Sequence, residues 1–212
     1  MSRIRVIVPG LESSVQDLGR FGWAHFGVSA SGAADPLALR AGNLLVGNAE
    51  NAAGVEMTLV GAELEFESAA VIALTGSDFG SGLPLWTPVE IPPGGLIRCT
   101  ATRGGARCYL CVRGGIQAPK IMGSASAHLM TGVGGGRLRK GDVLAIGDAA
   151  IRRPRKPASG FPSWSPTPTL RATAGPQAEW FGEELYRHAY RVSEESNRMG
   201  LRLRGPALTG LA

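Results

Sequence analysis

Three short polar segments of this 212-residue chain carry side chains that could bind a small ligand. The first is Ser13–Arg20, which places the amide of Gln16, the carboxylate of Asp17 and the guanidinium of Arg20 within one short stretch beside Gly19. Polar groups that meet glycine turns at strand ends are common places for binding residues. An Asx-type turn or a buried structural ion pair explains the same residues equally well, so both interpretations stay open.

The other two segments each follow a strongly apolar run. Asp78 lies in Thr75–Phe79, directly after the apolar residues 71–74, and Arg113 and Gly114 come directly after the apolar residues 108–112. The same two interpretations, ligand binding or turn structure, apply to both.

A turn at residues 27–32 adds two hydroxyls, those of Ser29 and Ser31, together with the flexible Gly32. It resembles a nucleophile elbow only loosely, because Ser31 occupies the position at which that pattern requires glycine. Hydrogen bonding to a small ligand is the alternative that these residues favour.

The common self-contained catalytic motifs are absent from the sequence. Cys108 and Cys111 have a metal-like spacing, but residues i and i+3 of a strand point to opposite faces, so packing in the core is expected. The three histidines are too widely spaced to predict a zinc site, and no metal ligand set is predicted. The glycines of residues 132–136 lack the lysine of a phosphate-binding loop and are predicted to form hairpin turns.

Composition predicts a mainly β protein in which these segments are held by short strands. The chain has 31 glycines and 14 prolines without a regular period, which is typical of many turns. Strands are predicted at 3–8, 55–59, 62–67, 70–74, 89–91, 96–101, 107–112 and 142–146. Helical segments do not alternate with them, which favours a sandwich or closed barrel over a parallel α/β sheet.

Two helices are predicted. The first begins at Asp35 as N-cap and Pro36 as first residue, ends at Gly47, and turns Leu37, Ala41, Leu44 and Leu45 toward the core. The second covers residues 177–190. Its predicted buried residues are Trp180, Phe181, Leu185 and Tyr186.

The predicted domain organisation is a first β-rich lobe at residues 1–150, a proline-rich linker at 151–168 and the start of a second lobe at 169–212. The net charge of +5 arises partly from the run Arg152–Lys156. Its two neighbouring prolines and the lack of interleaved aromatic residues indicate a linker rather than a nucleic-acid site. With three cysteines, no signal peptide and no long apolar run, we expect a cytoplasmic protein without a membrane partner.

Several motifs together resemble the biotin-dependent carboxyltransferase family, also called the allophanate hydrolase subunit 2 family, whose bacterial members include the C subunit of 5-oxoprolinase. The matching segments lie at residues 14–20, 27–38, 43–48, 56–58, 75–79, 105–110, 114–116, 175–177 and 196–206. They span nearly the whole chain, and the first is the most specific.

The resemblance implies a cyclophilin-like β-barrel architecture and one component of an assembly that also contains a B subunit. In 5-oxoprolinases an A subunit joins them, and the assembly uses ATP to open the 5-oxoproline lactam to glutamate. The resemblance therefore implies ATP at the level of the assembly, since this chain has no phosphate-binding loop of its own. A first alternative is a carboxyltransferase module that moves CO2 from carboxybiotin to urea or an amide. A second alternative is a non-catalytic, partner-binding or regulatory subunit.

For a lactam or amide substrate, the resemblance implies groups that donate to the carbonyl oxygen and accept from the N–H. We therefore predict as catalytic residues Gln16, Asp17, Arg20 and Asp78. The predicted substrate-binding residues are Ser29, Ser31, Gly32, Arg113, Gly114, Asn197 and Arg198.

The chain departs from the family pattern at several of these places. Asn197 replaces an aspartate, Ala125 and Ala127 replace an arginine and a threonine, and Gln117 replaces another aspartate. The family sequence also continues beyond Ala212, so we expect the second lobe to be incomplete.

Overall fold

A computed structural model describes residues 2–148, 153–155, 169, 171–180, 182–196 and 200–208. The chain divides into two compact units, Met1–Pro166 and Thr167–Ala212. Apart from 153–155, the predicted linker lies outside the described residues. The predicted lobe boundaries therefore remain a proposal.

Two five-stranded sheets form the first unit. The first has the order β7-β4-β1-β10-β9 and the second the order β2-β3-β8-β5-β6, with antiparallel neighbours throughout. The strands are β1 Arg3–Val8, β2 Glu12–Gln16, β3 Gly54–Thr58, β4 Glu63–Phe66, β5 Ala70–Gly76, β6 Pro88–Ile91, β7 Leu96–Arg98, β8 Arg107–Val112, β9 Ile116–Gln117 and β10 Val143–Ile146.

One hydrophobic core lies between the two sheets. Alternate residues of each strand face it, among them Ile4 and Val6 of β1 and Val55 and Met57 of β3, all fully buried. This period of two follows from strand geometry, in which successive side chains point to opposite faces. The mainly β class is confirmed, and the core is enclosed between two open five-stranded sheets.

Helix α1, Pro36–Val46, packs on the outer face of the second sheet. The Asp35 side chain accepts from the Ala38 N–H at 3.0 Å, and Gly47 ends the helix at φ 83°, as predicted. The prediction was wrong for Leu37, which is 65% exposed. The buried stripe is centred one position further along, on residues 38, 41, 42 and 45, which leaves Leu37 outside the contact face.

The two strand cysteines lie on opposite faces of β8, as their spacing predicted. Cys108 belongs to the core between the sheets, and Cys111 lies beneath α1, where its thiol is near the Leu39 carbonyl. Burial raises the pKa of both thiols, which keeps them protonated and consistent with packing residues.

The described residues of the second unit form short elements. A 3₁₀ turn at Ala178–Trp180 and helix α2, Glu184–Arg187, replace the single helix predicted over 177–190. Gly182 lies between them, and glycine interrupts helices. The predicted buried side was also wrong, since Trp180 is 57% exposed and Tyr186 is 71% exposed, while Phe181 lies outside the described residues.

A hairpin-like pair in the same unit joins β11, Arg191–Val192, to β12, Leu203–Arg204. Within the residues that the structure describes, no helix has the length and apolar character needed to span a bilayer.

Candidate functional site

The carboxylate of Asp17 is the most completely bonded polar group at the end of β2. Its Oδ1 accepts hydrogen bonds from the Gly19 N–H at 2.7 Å, from the Ser124 hydroxyl at 2.6 Å and from the Ser126 hydroxyl. Its Oδ2 accepts from the Ala125 N–H at 2.7 Å. The residue is 6% exposed, so the segment after β9 folds over it and excludes solvent.

These hydrogen bonds determine the charge of Asp17. Burial by itself raises the pKa of the carboxyl, but donors from two serine hydroxyls and two backbone N–H groups favour the ionised form. The resulting pKa lies below the ordinary value of 3.8. An ionised carboxylate whose lone pairs are occupied is a weak proton acceptor. Asp17 is therefore better suited to holding the segment 124–126 in place than to accepting a proton.

The Arg20 side chain lies on the same segment and is 2% exposed. Its Nε donates to the Ile121 carbonyl at 3.4 Å, one Nη donates to the Ser31 hydroxyl at 2.8 Å, and the other donates to the Ser126 carbonyl. Ser126 thus bonds Asp17 through its hydroxyl and Arg20 through its carbonyl. We call Asp17, Arg20, Ser31, Ser124 and Ser126 the Asp17–Arg20 network.

Gln16 adjoins this network and is fully buried. Its amide nitrogen donates to the Ser14 hydroxyl at 2.9 Å and to the Ala127 carbonyl at 3.0 Å. Its amide oxygen is buried without a hydrogen-bond partner among the described residues. A buried acceptor in this state is costly, and each one calls for a structural or functional explanation.

The loop that carries Ser29, Ser31 and Gly32 packs back on the backbone around Leu18 and Gly19. Ser31 has a positive φ of 54°, and its N–H donates to the Ser29 hydroxyl at 3.3 Å. Gly32 has φ 90°, and a Cβ there would lie 2.7 Å from the Leu18 carbonyl oxygen. The structure therefore brings Ser31 onto Arg20 and Gly32 onto the backbone after Asp17, whereas Ser29 contacts Ser31.

A buried polar row beneath α1 holds the far end of that loop. Ser14, Glu56, Tyr109 and Thr75 are cross-strand neighbours on one face. One Glu56 oxygen accepts from the Tyr109 hydroxyl and from the Ala34 N–H, both at 2.8 Å, and the Asp35 N–H donates to the Tyr109 oxygen at 2.7 Å. Burial and then the Glu56 carboxylate raise the pKa of Tyr109 above 10.0, so its hydroxyl stays a donor.

The glycine-rich residues 132–136 form the predicted turn. The His128 N–H donates to the Val133 carbonyl at 2.8 Å and closes it. Gly134 has φ 76°, and a Cβ there would lie 2.7 Å from an Arg20 Nη nitrogen and would collide with the Ser126 carbonyl. Only a glycine at this position lets the turn lie directly against the guanidinium.

Asp78 is at the opposite end of the same sheet. At one end of the sheet, Gln16 of β2 pairs with Gly54 of β3. At the other end, from which the chain leads to Asp78, one row of paired residues runs across four strands: Ser13, Met57, Cys108 and Gly76. Ser13 and Gln16 are three residues apart, which places the ends about 10 Å apart or more along the strands. The Asp78 side chain accepts from the Gly80 N–H at 2.7 Å and pairs with Arg103 at 3.6 Å.

Arg113 and Gly114 are separated from the network by β3. The Arg113 Nε donates to the Val46 carbonyl at the end of α1, at 3.1 Å, and the residue lines a cavity of about 630 Å³ together with Glu90 and Asp148. The Gly114 N–H donates to the Asn48 side chain at 2.9 Å, and a Cβ there would collide with the Gly147 carbonyl. Asn197 and Arg198 lie outside the described residues.

Sequence reasoning missed four residues that build the site, Ser124, Ser126, Glu56 and Tyr109. The alternation Ser124-Ala125-Ser126-Ala127 was the available signal for the first two, because a period of two aligns hydroxyls on one side of an extended chain. For Glu56 the signal was a lone charge within an otherwise apolar strand, which is found buried only when it is bonded.

Chemically, this arrangement can hold and orient a ligand beside a buried cation. The hydroxyls of Ser124 and Ser126 donate to the Asp17 carboxylate, the Ser31 hydroxyl accepts from Arg20, and within the part of the chain that the structure describes none of the three forms a hydrogen bond with a histidine. No cluster of metal-ligating side chains is present among the described residues. Binding and positioning are therefore the functions that the geometry supports.

Comparison with known proteins gives consistent matches. Residues 26–211 match the family described as carboxyltransferase domain, subdomain A and B. The chain is 40% identical to the C subunit of the Escherichia coli 5-oxoprolinase over 97% of its own length and 69% of that protein. It is 35% identical to urea amidolyase of Saccharomyces cerevisiae over 96% of its length but only 12% of that protein.

A solved structure shows the same fold. The urea carboxylase of Kluyveromyces lactis superposes with a TM-score of 0.82 at 32% identity, covering 98% of this chain and 21% of that one. The family match spans most of the chain and includes the loop that contacts Arg20. On these grounds this chain belongs to the carboxyltransferase domain family, subdomain A and B.

Proposed function

We propose that this chain is a subunit of a multi-component 5-oxoprolinase, an assembly that opens the lactam of 5-oxoproline to glutamate using ATP. The observation that carries the proposal is the 40% identity to the C subunit of the Escherichia coli 5-oxoprolinase, of which the chain covers 69%. The proposed role is to bind and orient the lactam through the Asp17–Arg20 network and Gln16. Asp78, Arg113, Gly114, Asn197 and Arg198 stay secondary candidates.

The geometry of the network supports a protein that depends on partners. Lactam opening needs an activated carbonyl and a nucleophile, and the hydroxyls of Ser124 and Ser126 are committed to Asp17. The turn at 132–136 lies against Arg20 and does not fit a phosphate cradle. The proposal therefore assigns ATP and the activation step to the other members of the assembly, the B and A subunits.

A carboxyltransferase module is the second candidate function. It is favoured by the family match over residues 26–211 and by the superposition on a urea carboxylase. In that case carboxybiotin would be delivered by another protein, because this chain has no Met-Lys-Met-type attachment segment. Its substrate would be urea or a related amide, placed at the same network.

Reconstitution tests both candidates. The chain is purified with homologues of the B and A subunits, and glutamate formation from 5-oxoproline is followed with ATP, with each protein omitted in turn as a control. ATP-dependent glutamate formation that requires this chain is the expected result. Carboxyl transfer from carboxybiotin without lactam opening would select the second function, and a stable complex without either reaction would indicate a regulatory, partner-binding role.

A further inference from the structure

We propose that Arg20 binds the carboxylate of an anionic substrate, in a site that the turn of residues 132–136 covers. This inference rests on the proposed function and specifies its substrate class: among planar amides, the site binds those that carry a negative charge. Lactam acids such as 5-oxoproline have such a group, whereas urea does not. Four features of the structure support it.

The first feature is a buried positive charge without a negative partner. Arg20 is 2% exposed, and its hydrogen bonds go to two backbone carbonyls and one hydroxyl. Among the described residues no carboxylate forms an ion pair with it. Charged side chains are almost never fully buried unless they are paired, so a counter-charge is missing from this position.

The second feature is unused donor capacity. A guanidinium has five N–H groups, and the structure uses one on Nε and one on each Nη. Two N–H groups, one on each Nη, have no hydrogen-bond partner among the residues that the structure describes. A carboxylate offers two acceptor oxygens, so it can use both and neutralise the charge at the same time.

The third feature is that Asp17 does not supply the missing charge. Its two oxygens accept four hydrogen bonds from Gly19, Ser124, Ala125 and Ser126. Among the described side chains, Ser126 links it to Arg20, because the Ser126 hydroxyl bonds Asp17 and the Ser126 carbonyl bonds Arg20. The carboxylate therefore fixes the wall of the site and leaves the guanidinium free to take a ligand.

The fourth feature is the cover. The turn at 132–136 is largely exposed, has three glycines at positive φ, and approaches the guanidinium at Gly134 so closely that no side chain fits. Glycines of this kind move with little steric restriction. In the proposed site, displacement of this turn admits the substrate carboxylate to Arg20.

Calorimetric titration of the full chain tests the inference. The probes are 5-oxoproline and 2-pyrrolidone, which has the same lactam ring without the carboxylate. The variants are Arg20→Gln, Arg20→Lys and, as matched control, Arg98→Gln, an exposed arginine of β7 that already pairs with Glu63 at 3.4 Å. Thermal unfolding of each protein is measured in parallel.

We expect saturable binding of 5-oxoproline and binding of 2-pyrrolidone at least about 10-fold weaker, since 2-pyrrolidone lacks the carboxylate that would form a charge-assisted bidentate contact. Arg20→Gln lowers 5-oxoproline affinity about 10-fold or more, Arg20→Lys retains part of it, and Arg98→Gln leaves it unchanged. Equal affinities for the two lactams, or no saturable binding of 5-oxoproline, overturn the inference.

The comparison of the two lactams uses the unmodified chain, so it tests the requirement for a carboxylate even if Arg20→Gln does not fold. Binding of 5-oxoproline without turnover in the reconstituted assembly would uphold the anionic site and reject the oxoprolinase function. Turnover of 5-oxoproline with a fully active Arg20→Gln variant would do the reverse.

Discussion

The two ends of the second sheet each carry an aspartate just beyond the last paired residue, but the two aspartates differ in burial and in hydrogen bonding. Asp17, after β2, is 6% exposed and accepts four hydrogen bonds. Asp78, after β5, has a 45% exposed side chain, one turn hydrogen bond and an ion pair with the exposed Arg103. Residue types at the two ends are similar, but one end is a solvent-excluded network and the other an Asx-type turn.

The difference arises from what covers each end. The chain between β9 and β10 runs along the free edge of β2, where the Ala127 N–H donates to the Val15 carbonyl at 3.0 Å and the Leu138 N–H to the Ser13 carbonyl at 2.8 Å. This irregular segment supplies Ser124, Ser126 and Gly134 to the Asp17 end. Solvent exclusion strengthens polar interactions, so the hydrogen bonds of Asp17 are expected to contribute more to stability than those of Asp78.

Removing each carboxylate gives the largest expected contrast. Asp17→Ala leaves four buried donors without an acceptor, and we expect it to lower the free energy of unfolding by about 3 kcal/mol. Asp78→Ala removes a half-exposed contact and should cost about 0.5 kcal/mol. Urea denaturation measures both, and equal losses would show that the two ends are not energetically different.

The turn over Arg20 gives the next largest effect. Gly134→Ala combines a positive φ with a collision, and we expect a loss of about 3 kcal/mol, whereas Gly132→Ala has the φ strain but open space and should cost about 1 kcal/mol. Thermal or chemical denaturation compares the pair. If the two variants are equally stable, the turn does not lie against the guanidinium as described.

The hydroxyl of Tyr109 gives a smaller effect. Tyr109→Phe removes a donor to Glu56 and an acceptor from the Asp35 N–H, which should cost about 2 kcal/mol. The matched variant at the other end is Thr100→Val, which removes a half-buried bond to the Phe79 carbonyl and should cost about 1 kcal/mol. A larger loss at Thr100 than at Tyr109 would contradict the comparison.

The pH dependence of stability provides the smallest and most specific signal. The pKa of Asp17 is lower in the folded chain than its ordinary value of 3.8, so its ionised form stabilises the fold above that pH. The contribution is lost as the pH falls from 3.8 through the folded pKa. The stability difference between the wild type and Asp17→Asn should therefore be constant near neutral pH and shrink below pH 3.8. A difference independent of pH down to full acid unfolding would mean that Asp17 is not held ionised.

Much of the fold was predictable because local signals and tertiary structure agree. Helix α1 has its cap at Asp35, its proline at the first position and its closing glycine at Gly47, and each is where the sequence placed it. The strands β1, β3, β5 and β8 were likewise marked by apolar residues bounded by turn residues. Strand β2 was not recognised as a strand, since Ser13, Ser14 and Gln16 are polar and become buried only through long-range partners.

The site was only partly predictable for the same reason. Gln16, Asp17, Arg20, Ser31 and Gly32 could be nominated from the sequence because they are close together along it. Ser124 and Ser126 contact Asp17 from more than one hundred residues away, and no local pattern specifies that contact. Local composition did not distinguish Asp78 from Asp17, because the exposure of each side chain depends on whether a segment distant in sequence covers it.

Turnover in the reconstituted assembly, with one variant at each end of the sheet, tests the role of the Asp17–Arg20 network most directly. Glutamate formation from 5-oxoproline is measured with the wild type, Arg20→Gln and Asp78→Asn, after each variant is shown to be folded and to join the complex. We expect Arg20→Gln to lower kcat/KM about 10-fold or more, while Asp78→Asn stays within about 2-fold of the wild type. Normal turnover with Arg20→Gln, or a loss confined to Asp78→Asn, would contradict the assignment of function to this network.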